Sequence, residues 1–352
     1  MDELKCRNNI QSMVKKAQQA GIALRPHFKT HQSATVGEWF REAGVECITV
    51  SSVEMGTYFA KHGWQDISIA FPVNLRETAI IAGLARQVKL QLLVESEYVV
   101  HELAKSLLEK VTLNIKIDTG ANRSGIASAE IDRIAGVLGA IESHPQFKVG
   151  NLLVHAGHTY HAKGYQEIAA ITRSGYEQLQ RIKEKLKSPG LGLSWGDTPS
   201  CSMLDTLPHF DEWRPGNFVF YDLMQYHIGS CRLDQVAVAV ACPVVAVHRK
   251  RKQAVIYGGA VHFSKECIEA DRGFKLYGYI VNPDETGWHE PVPGAWLSAL
   301  SQEHGIVNLP YDMLDRLKPG DLLGILPIHS CLTVSCLKAM QTISGEKLDC
   351  KP

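Results

Sequence analysis

The stretch Ile22-Ala23-Leu24-Arg25-Pro26-His27-Phe28-Lys29-Thr30-His31 opens as a short apolar run and ends on a lysine set between two histidines. The run reads as a strand, Ile22–Phe28, with Lys29 just past its C-terminal end. A lone lysine in that position is ordinarily a solvated surface charge. Arg25-Pro26, His27 and His31 are an odd neighbourhood for a plain turn, however, and a buried lysine in such company acquires the lowered pKa that imine chemistry requires.

Working outward, the preceding segment Met1–Gly21 places Ile10, Met13, Val14 and Ala17 at helical spacing and stops at Gly21. Downstream, β-prone runs recur at Val45–Ser51, Ile67–Phe71, Lys89–Val94, Val111–Ile117, Val149–Val154, Leu191–Trp195 and Phe218–Tyr221. The stretches between them, such as Asn74–Arg86, Ser96–Glu109, Ala129–Ser143 and Tyr165–Leu186, carry the apolar period of helices. Alternating β and α units imply parallel strands, and the eight candidates fit a closed (β/α)8 TIM barrel better than the rival doubly wound open sheet. Beyond Gln225 the pattern changes. Val236–Val247, Gln253–Tyr257, Lys275–Val281 and Leu322–Ile325 are strand-like and separated by Pro and Gly, so residues 1–225 are expected to form the barrel and residues 226–352 a C-terminal β domain.

The 352 residues are 45% hydrophobic, and 37 basic side chains balance 37 acidic ones. No broad field is present to attract nucleic acid or a membrane surface, so the expected partner is a small molecule. Nine cysteines lack the spacing of a disulfide framework, and no apolar run is long enough for a signal region or a membrane span. A cytoplasmic protein with reduced thiols is expected.

Barrel enzymes build their sites at the C-terminal ends of the strands. The unusual polar residues fall there: Lys29; then Asp118, Asn122 and Arg123; His155, His158 and Tyr160; Gly196-Asp197-Thr198-Pro199-Ser200; and Tyr221 with Asp222. The run from Gly196 to Ser200 suits a phosphate ahead of a helix at Cys201–Leu207, and reads equally well as a capped turn. In an extended segment, His329-Ser330-Cys331 aims an imidazole and a thiol at one face, which suits zinc with substrate or water completing the shell; a core cysteine beside a turn histidine is the plainer reading. His155, His158 and His161 have helical spacing for a metal, but Gly157 points to a loop with separate roles.

Together, Arg25-Pro26-His27-Phe28-Lys29-Thr30-His31, Asp118-Thr119-Gly120-Ala121-Asn122-Arg123-Ser124-Gly125, His155-Ala156-Gly157-His158-Thr159-Tyr160, Arg214-Pro215-Gly216-Asn217-Phe218 and Pro327-Ile328-His329-Ser330-Cys331 resemble the D-serine dehydratase and D-threonine aldolase family, most of all its D-serine dehydratase-like members. The resemblance implies an alanine-racemase-type pyridoxal-phosphate (PLP) barrel followed by a β domain, assembled as a homodimer. It also implies that Lys29 carries the cofactor, Arg123 lies on the phenolic-oxygen side, Tyr160 meets the pyridine nitrogen, His155 lies by the ring and Gly196, Asp197 and Thr198 hold the phosphate. Tyr221 joins the cofactor contacts. His329 and Cys331 match the family's metal pair, and thiolate favours zinc over manganese or magnesium, with manganese as the alternative.

The chain departs from the family pattern in three places. It starts almost inside the first helix, without the usual Thr-Pro-containing strand. Tyr257-Gly258-Gly259-Ala260-Val261-His262 stands where many members have an Asp-Ala-Gly run, and Asp197 replaces a common Ser. A carboxylate beside a phosphate is repulsive, so Asp197 must point away, be paired, or mark altered cofactor handling.

The resulting expectation is a PLP- and metal-dependent dehydratase (ammonia-lyase) of D-serine or a related D-3-hydroxy amino acid. The alternatives are retro-aldol cleavage as in D-threonine aldolases, racemisation, and a non-catalytic PLP-binding protein. His-x-Cys, where D-threonine aldolases tend to have His-x-Asp, favours elimination. Racemisation needs an acid on the opposite cofactor face, and the extra β domain counts against the non-catalytic protein.

Overall fold

A computed structural model describes residues 1–270 and 274–351 and divides into two compact units. One comprises Gln11–Lys29 and Gly37–Gly216; the other comprises Met1–Ile10, Thr30–Val36 and Asn217–Pro352.

In the first unit β1 (Ala23–Leu24), β2 (Ile48–Val50), β3 (Asp66–Pro72), β4 (Lys89–Val94), β5 (Val111–Asp118), β6 (Phe147–His155), β7 (Gly192–Gly196) and β8 (Glu212–Trp213) pair in parallel in the order β1-β8-β7-β6-β5-β4-β3-β2. The two ends of this path meet where His27 bridges Thr49. There Phe28 N–H donates to Thr49 O at 2.8 Å and Thr49 N–H donates to Pro26 O at 2.9 Å. Parallel strands are covered on both faces, which is why they read as apolar runs. The helices α1 (Glu3–Ala20), α2 (Ala34–Glu42), α3 (Val53–Lys61), α4 (Thr78–Ala85), α5 (Glu97–Ser106), α6 (Ile131–Glu142) and α7 (Tyr165–Lys185) supply the intervening elements. Ser52 and Ser96 start α3 and α5 by accepting the N–H groups of Met55 and Val99. Gly175 of α7 lies so close to Trp195 that a Cβ there would meet the indole at 2.5 Å.

The alanine-racemase-type barrel is present, with one correction. The eighth strand is Glu212–Trp213, whereas Phe218–Tyr221 overlaps a 3-10 turn at Asn217–Val219. A two-residue strand gives no readable period, while Phe218, Val219 and Phe220 are apolar because they are fully buried.

A buried ion network ties these short end strands together. Arg25, just past β1, donates from Nε to Glu212 at 2.6 Å and from a terminal nitrogen to Asp66 at 2.6 Å. Arg214, just past β8, lies 3.8 Å from the same Glu212 and donates to Ser194 Oγ at 2.6 Å. Ser194 in turn donates to Glu212 at 2.6 Å. Burial lowers the Arg214 pKa to about 10 against the pull of Glu212, with Arg25 adding to the depression.

The second unit contains a closed antiparallel barrel. Its strands β9 (Val240–His248), β10 (Gln253–Tyr257), β11 (Gly278–Val281), β12 (Trp296–Leu300), β13 (His304–Asn308) and β14 (Leu322–Pro327) pair around the circle β9-β10-β13-β12-β11-β14. Cys242, Val244, Ile256, Ile280, Leu297, Val307, Leu323 and Ile325 fill its core. The expected strand Gln253–Tyr257 is found with those bounds, and Leu322–Ile325 extends to Pro327. Val236–Val247 begins only at Val240, and Lys275–Val281 is interrupted at Tyr277.

Removing Glu212 would leave Arg214 buried without a carboxylate. Glu212→Ala is expected to destabilise the cofactor-free protein by roughly 3–5 kcal/mol, measured by urea unfolding. A loss under about 1 kcal/mol would show that carbonyls and Ser194 alone support the charge.

Candidate active site

In the barrel unit the strand ends gather Lys29, His27, Lys116, Arg123, His155 and Arg214. Lys29 is half-buried, and its backbone N–H donates to His27 Nδ1 at 3.3 Å. His155, at the end of β6, shares a 2.7 Å hydrogen bond between Nδ1 and Gly196 O. Its ring centroid lies 6.2 Å from that of Tyr160. Burial first, then the charges of Lys29 and Arg123, drive the His155 pKa well below the ordinary imidazole value. His27 is depressed in the same way, by burial, Lys29 and Arg214. Two neutral imidazoles among Lys29, Arg123, Arg214 and a depressed Lys116 therefore describe the electrostatics of this constellation.

The helix after β7 starts earlier than expected, as α8 (Thr198–Met203), with Asp197 as its N-cap. Asp197 accepts the N–H of Ser200 at 2.6 Å, the Ser200 hydroxyl at 2.5 Å and the Thr159 hydroxyl at 3.1 Å. Burial raises its pKa while these bonds oppose the rise. The carboxylate is thus paired, one of the outcomes expected for it from the sequence. Ser200 is spent on this cap and on Trp195, whose Nε1–H it accepts at 2.9 Å. Thr198 N–H points at the Tyr160 hydroxyl at 3.3 Å. Lys29, Arg123, His155, Tyr160, Gly196, Asp197 and Thr198 therefore all belong to one unit.

Tyr221, His329 and Cys331 belong to the other. Tyr221 is buried, with a left-handed φ of 48° and its N–H on Asn217 O at 2.8 Å. It immediately precedes Asp222, the N-cap of α9 (Leu223–Ile228). The His329–Cys331 segment is not extended throughout. His329 keeps extended backbone at φ −134°, but Ser330 begins α10 (Ser330–Leu337). The helix starts there because Asp222 accepts the Ser330 N–H at 2.9 Å and its hydroxyl at 3.2 Å. The two side chains still meet. His329 hydrogen-bonds both Cys331 and Glu266, and these partners outweigh the opposing effect of burial to push its pKa up to about 11. The Cys331 sulfur lies 3.2 Å from the Thr30 hydroxyl and 3.6 Å from Asn217 Nδ2. Among the described residues no group of three or more His, Cys, Asp or Glu converges as a metal site.

Lys116, Arg214, Thr30 and Glu266 were not singled out from the sequence. Lys116 had a signal: Thr112, Asn114, Lys116 and Asp118 alternate with Val111, Leu113, Ile115 and Ile117, which puts the polar set on one strand face. Glu266 had none.

Both implied groups fit what is present. A phosphate-bearing, anionic cofactor matches the basic side chains of Lys29, Arg123 and Arg214 around two neutral imidazoles. A soft divalent ion matches an imidazole in contact with a thiol whose sulfur accepts the Asn217 amide and lies against the Thr30 hydroxyl.

The family model described as "Alanine racemase, N-terminal domain" matches residues 2–223, and the model described as "Putative serine dehydratase domain" matches residues 237–343. The D-threo-3-hydroxyaspartate dehydratase of Delftia sp. (strain HT23) is 28% identical over 96% of this chain and 91% of its own. The D-serine dehydratase of Dictyostelium discoideum is 26% identical over 97% and 91%. A D-threonine aldolase of Arthrobacter sp is 21% identical over only 61% and 58%. The solved Delftia enzyme superposes with a TM-score of 0.91 at 27% identity, covering 99% of this chain and 96% of that one. A cysteine-to-alanine variant of it was solved in the metal-free form.

Burial, then Arg214, hold the Lys116 pKa down to about 7 against Asp118. The unfolded chain keeps such a lysine protonated to about pH 10.4. Between these limits the unfolded state binds more protons, so stability rises with pH, by at most about 1.4 kcal/mol per unit for this one group. The urea midpoint of the cofactor-free protein is expected to climb more steeply from pH 7 to 9 than that of Lys116→Met. Parallel slopes would show that Lys116 stays charged in the fold.

Proposed function

The chain belongs to the family of the alanine racemase N-terminal domain, and from that premise we propose that it is a PLP- and metal-dependent dehydratase acting on D-serine or a related D-3-hydroxy amino acid. One observation carries this reading above the others: Lys29 lies in range of two imidazoles held neutral and of further cations, and the next residue, Thr30, places its hydroxyl on the thiol of a His-x-Cys pair. The dehydratase relatives also span nearly the whole chain, whereas the aldolase spans a smaller part, which favours elimination over retro-aldol cleavage.

PLP, when bound, supplies the electron sink for the carbanion formed at the substrate α-carbon. The residues that would hold it are Lys29 by its amine, Arg123 on the phenolic-oxygen side, Tyr160 at the pyridine nitrogen, and Gly196, Asp197 and Thr198 at the phosphate. Asp197 serves there through its backbone, since its carboxylate is committed to Ser200 and Thr159. His155, neutral, would lie by the ring, and Tyr221 would join the cofactor contacts. The Lys29 amine takes the α-proton. His329 and Cys331 would hold the divalent ion, zinc by the softness of thiolate with manganese as the alternative, and the chemistry supplied there is Lewis-acid stabilisation of the departing hydroxide. The metal-free form solved for a cysteine variant of the Delftia enzyme supports a cysteine ligand.

We assign the protein to the cytoplasm, because all nine cysteines are free thiols and no helix among the described residues is long and apolar enough to cross a membrane. A homodimer is the proposed assembly, divided functionally near residue 225 into cofactor and metal domains.

Lys29→Ala is expected to abolish D-serine turnover together with borohydride-fixable attachment of PLP, read by mass spectrometry; attachment that survives would reassign the lysine. Chelation, or His329→Ala, is expected to spare α-deuterium exchange and to slow water loss roughly a thousandfold or more. Elimination from β-chloro-D-alanine should change far less, since chloride leaves unaided. If all three reactions fall together, the metal positions the whole substrate instead; if D-serine turnover is unchanged, His329 and Cys331 hold no catalytic metal.

A further inference from the structure

His329 occupies a helix N-cap without performing the usual task of one. Its side chain makes no capping hydrogen bond. That work is done from elsewhere in the sequence by Asp222, whose Oδ2 takes the Ser330 N–H and hydroxyl while Oδ1 takes the Gln225 N–H at the head of α9. The imidazole is therefore released from the helix end, and something else must set its rotation and decide which nitrogen carries the proton.

Glu266 is placed to do so. Its Oε2 accepts a short hydrogen bond from His329 Nδ1 across 63 residues of chain. Backbone strain accompanies the placement. Ser264, two residues earlier, is a non-glycine at φ +70°, and its hydroxyl accepts the Glu266 N–H at 3.2 Å. A non-glycine residue in that region is strained, which the surroundings must offset to keep Glu266 where it is. With Nδ1 engaged, Nε2 is the nitrogen left for a metal. Cys331 is fixed independently, by its position in the first turn of α10 and by Thr30 and Asn217 at its sulfur.

We infer that Glu266 is a positioning residue of the metal centre: it holds the Nδ1–H of His329 and so presents Nε2, beside the Cys331 thiol, as the ligating nitrogen. This rests on the proposed reading of His329 and Cys331 as the metal pair. The plainer account is a surface ion pair, since the Glu266 side chain is 42% exposed, and such a pair contributes little by itself. The two accounts differ in what they predict for metal affinity. Carboxylates that orient a ligating histidine change affinity ten- to a hundredfold when removed, whereas a bystander ion pair changes it hardly at all.

The test uses the PLP-loaded protein, stripped of metal and titrated with Zn2+ against a chromophoric chelator and with Co2+ by absorption spectroscopy. Thermal unfolding of each variant verifies that it is folded. Wild type is expected to show a thiolate-to-Co2+ charge-transfer band that Cys331→Ala abolishes. Glu266→Ala should keep that band, shift the Co2+ d–d bands and bind Zn2+ about ten- to a hundredfold more weakly. Glu266→Gln retains an acceptor oxygen for Nδ1–H and should recover most of the affinity. In Zn2+-loaded protein with 15N-labelled histidine, His329 should carry its proton on Nδ1. Wild-type affinity with an unchanged Co2+ spectrum in Glu266→Ala would overturn the inference, as would Glu266→Gln binding as weakly as Glu266→Ala, or zinc on Nδ1. Absence of the charge-transfer band from wild type would instead remove the metal reading, and this inference with it.

Discussion

Glu212 is the carboxylate on which the cofactor half of the protein depends. The strands that close its ring, β1 and β8, are two residues long each, so their backbone pairing fixes little of their geometry. What fixes the rest is a side chain from β8 set between Arg25 and Arg214. These arginines flank the segments that lead directly into the site. Arg25 is four residues before Lys29, and Arg214 lies in electrostatic range of both His27 and Lys116. Arg25 is balanced by Asp66 as well as Glu212, and it is the charge of Arg214 that, after burial, helps to depress the pKa values of His27 and Lys116, so the network that closes the barrel also sets the electrostatics at the strand ends.

Two other buried carboxylates organise helix ends. Asp197 caps α8 and Asp222 caps α9 while also holding the start of α10. An N-cap normally comes from the residue that begins its own helix. Asp222 serves a second helix 108 residues away, and this frees His329 for a different partner. Asp197 shows the reverse economy: a residue that would repel a phosphate if it faced one is harmless once Ser200 and Thr159 have taken its oxygens. In both cases burial raises the carboxyl pKa and hydrogen bonds oppose the rise.

Legibility in the sequence followed the length of each element and the locality of each interaction. Strands β2 to β7 are long enough, or apolar enough, to show as runs, and β4 was read with its observed bounds. The eighth strand was missed because Glu212-Trp213 has no period, and the buried 3-10 turn beside it imitates a strand. In the β barrel, β12 and β13 escaped because Trp296, Leu300 and Ile306 place apolar residues on the face opposite Leu297 and Val307 as well, which blurs the alternation that marks a strand. Lys29, His155 and Asp197 were singled out because the strand ends of a barrel are where such enzymes build their sites. Glu266 was not, since its meaning comes only from a contact with a histidine 63 residues further along. The misreading of His329-Ser330-Cys331 as extended has the same origin, because the cap that starts α10 is a distant aspartate that no local pattern reveals.

One of the boundaries between the two units falls at the peptide bond between Lys29 and Thr30. Lys29 stands among cations and neutral imidazoles. Thr30 has its hydroxyl 3.2 Å from the Cys331 sulfur. Thr30 is fully buried, so it is held as firmly as any core residue. The loop that follows it is held as well, by Asp349 near the C-terminus, which accepts the N–H groups of Ala34 at 3.2 Å and Thr35 at 2.9 Å. The backbone on one side of Lys29 is thus fixed by ring closure at His27 and Phe28, and on the other by Thr30 and the loop held by the Asp349 side chain.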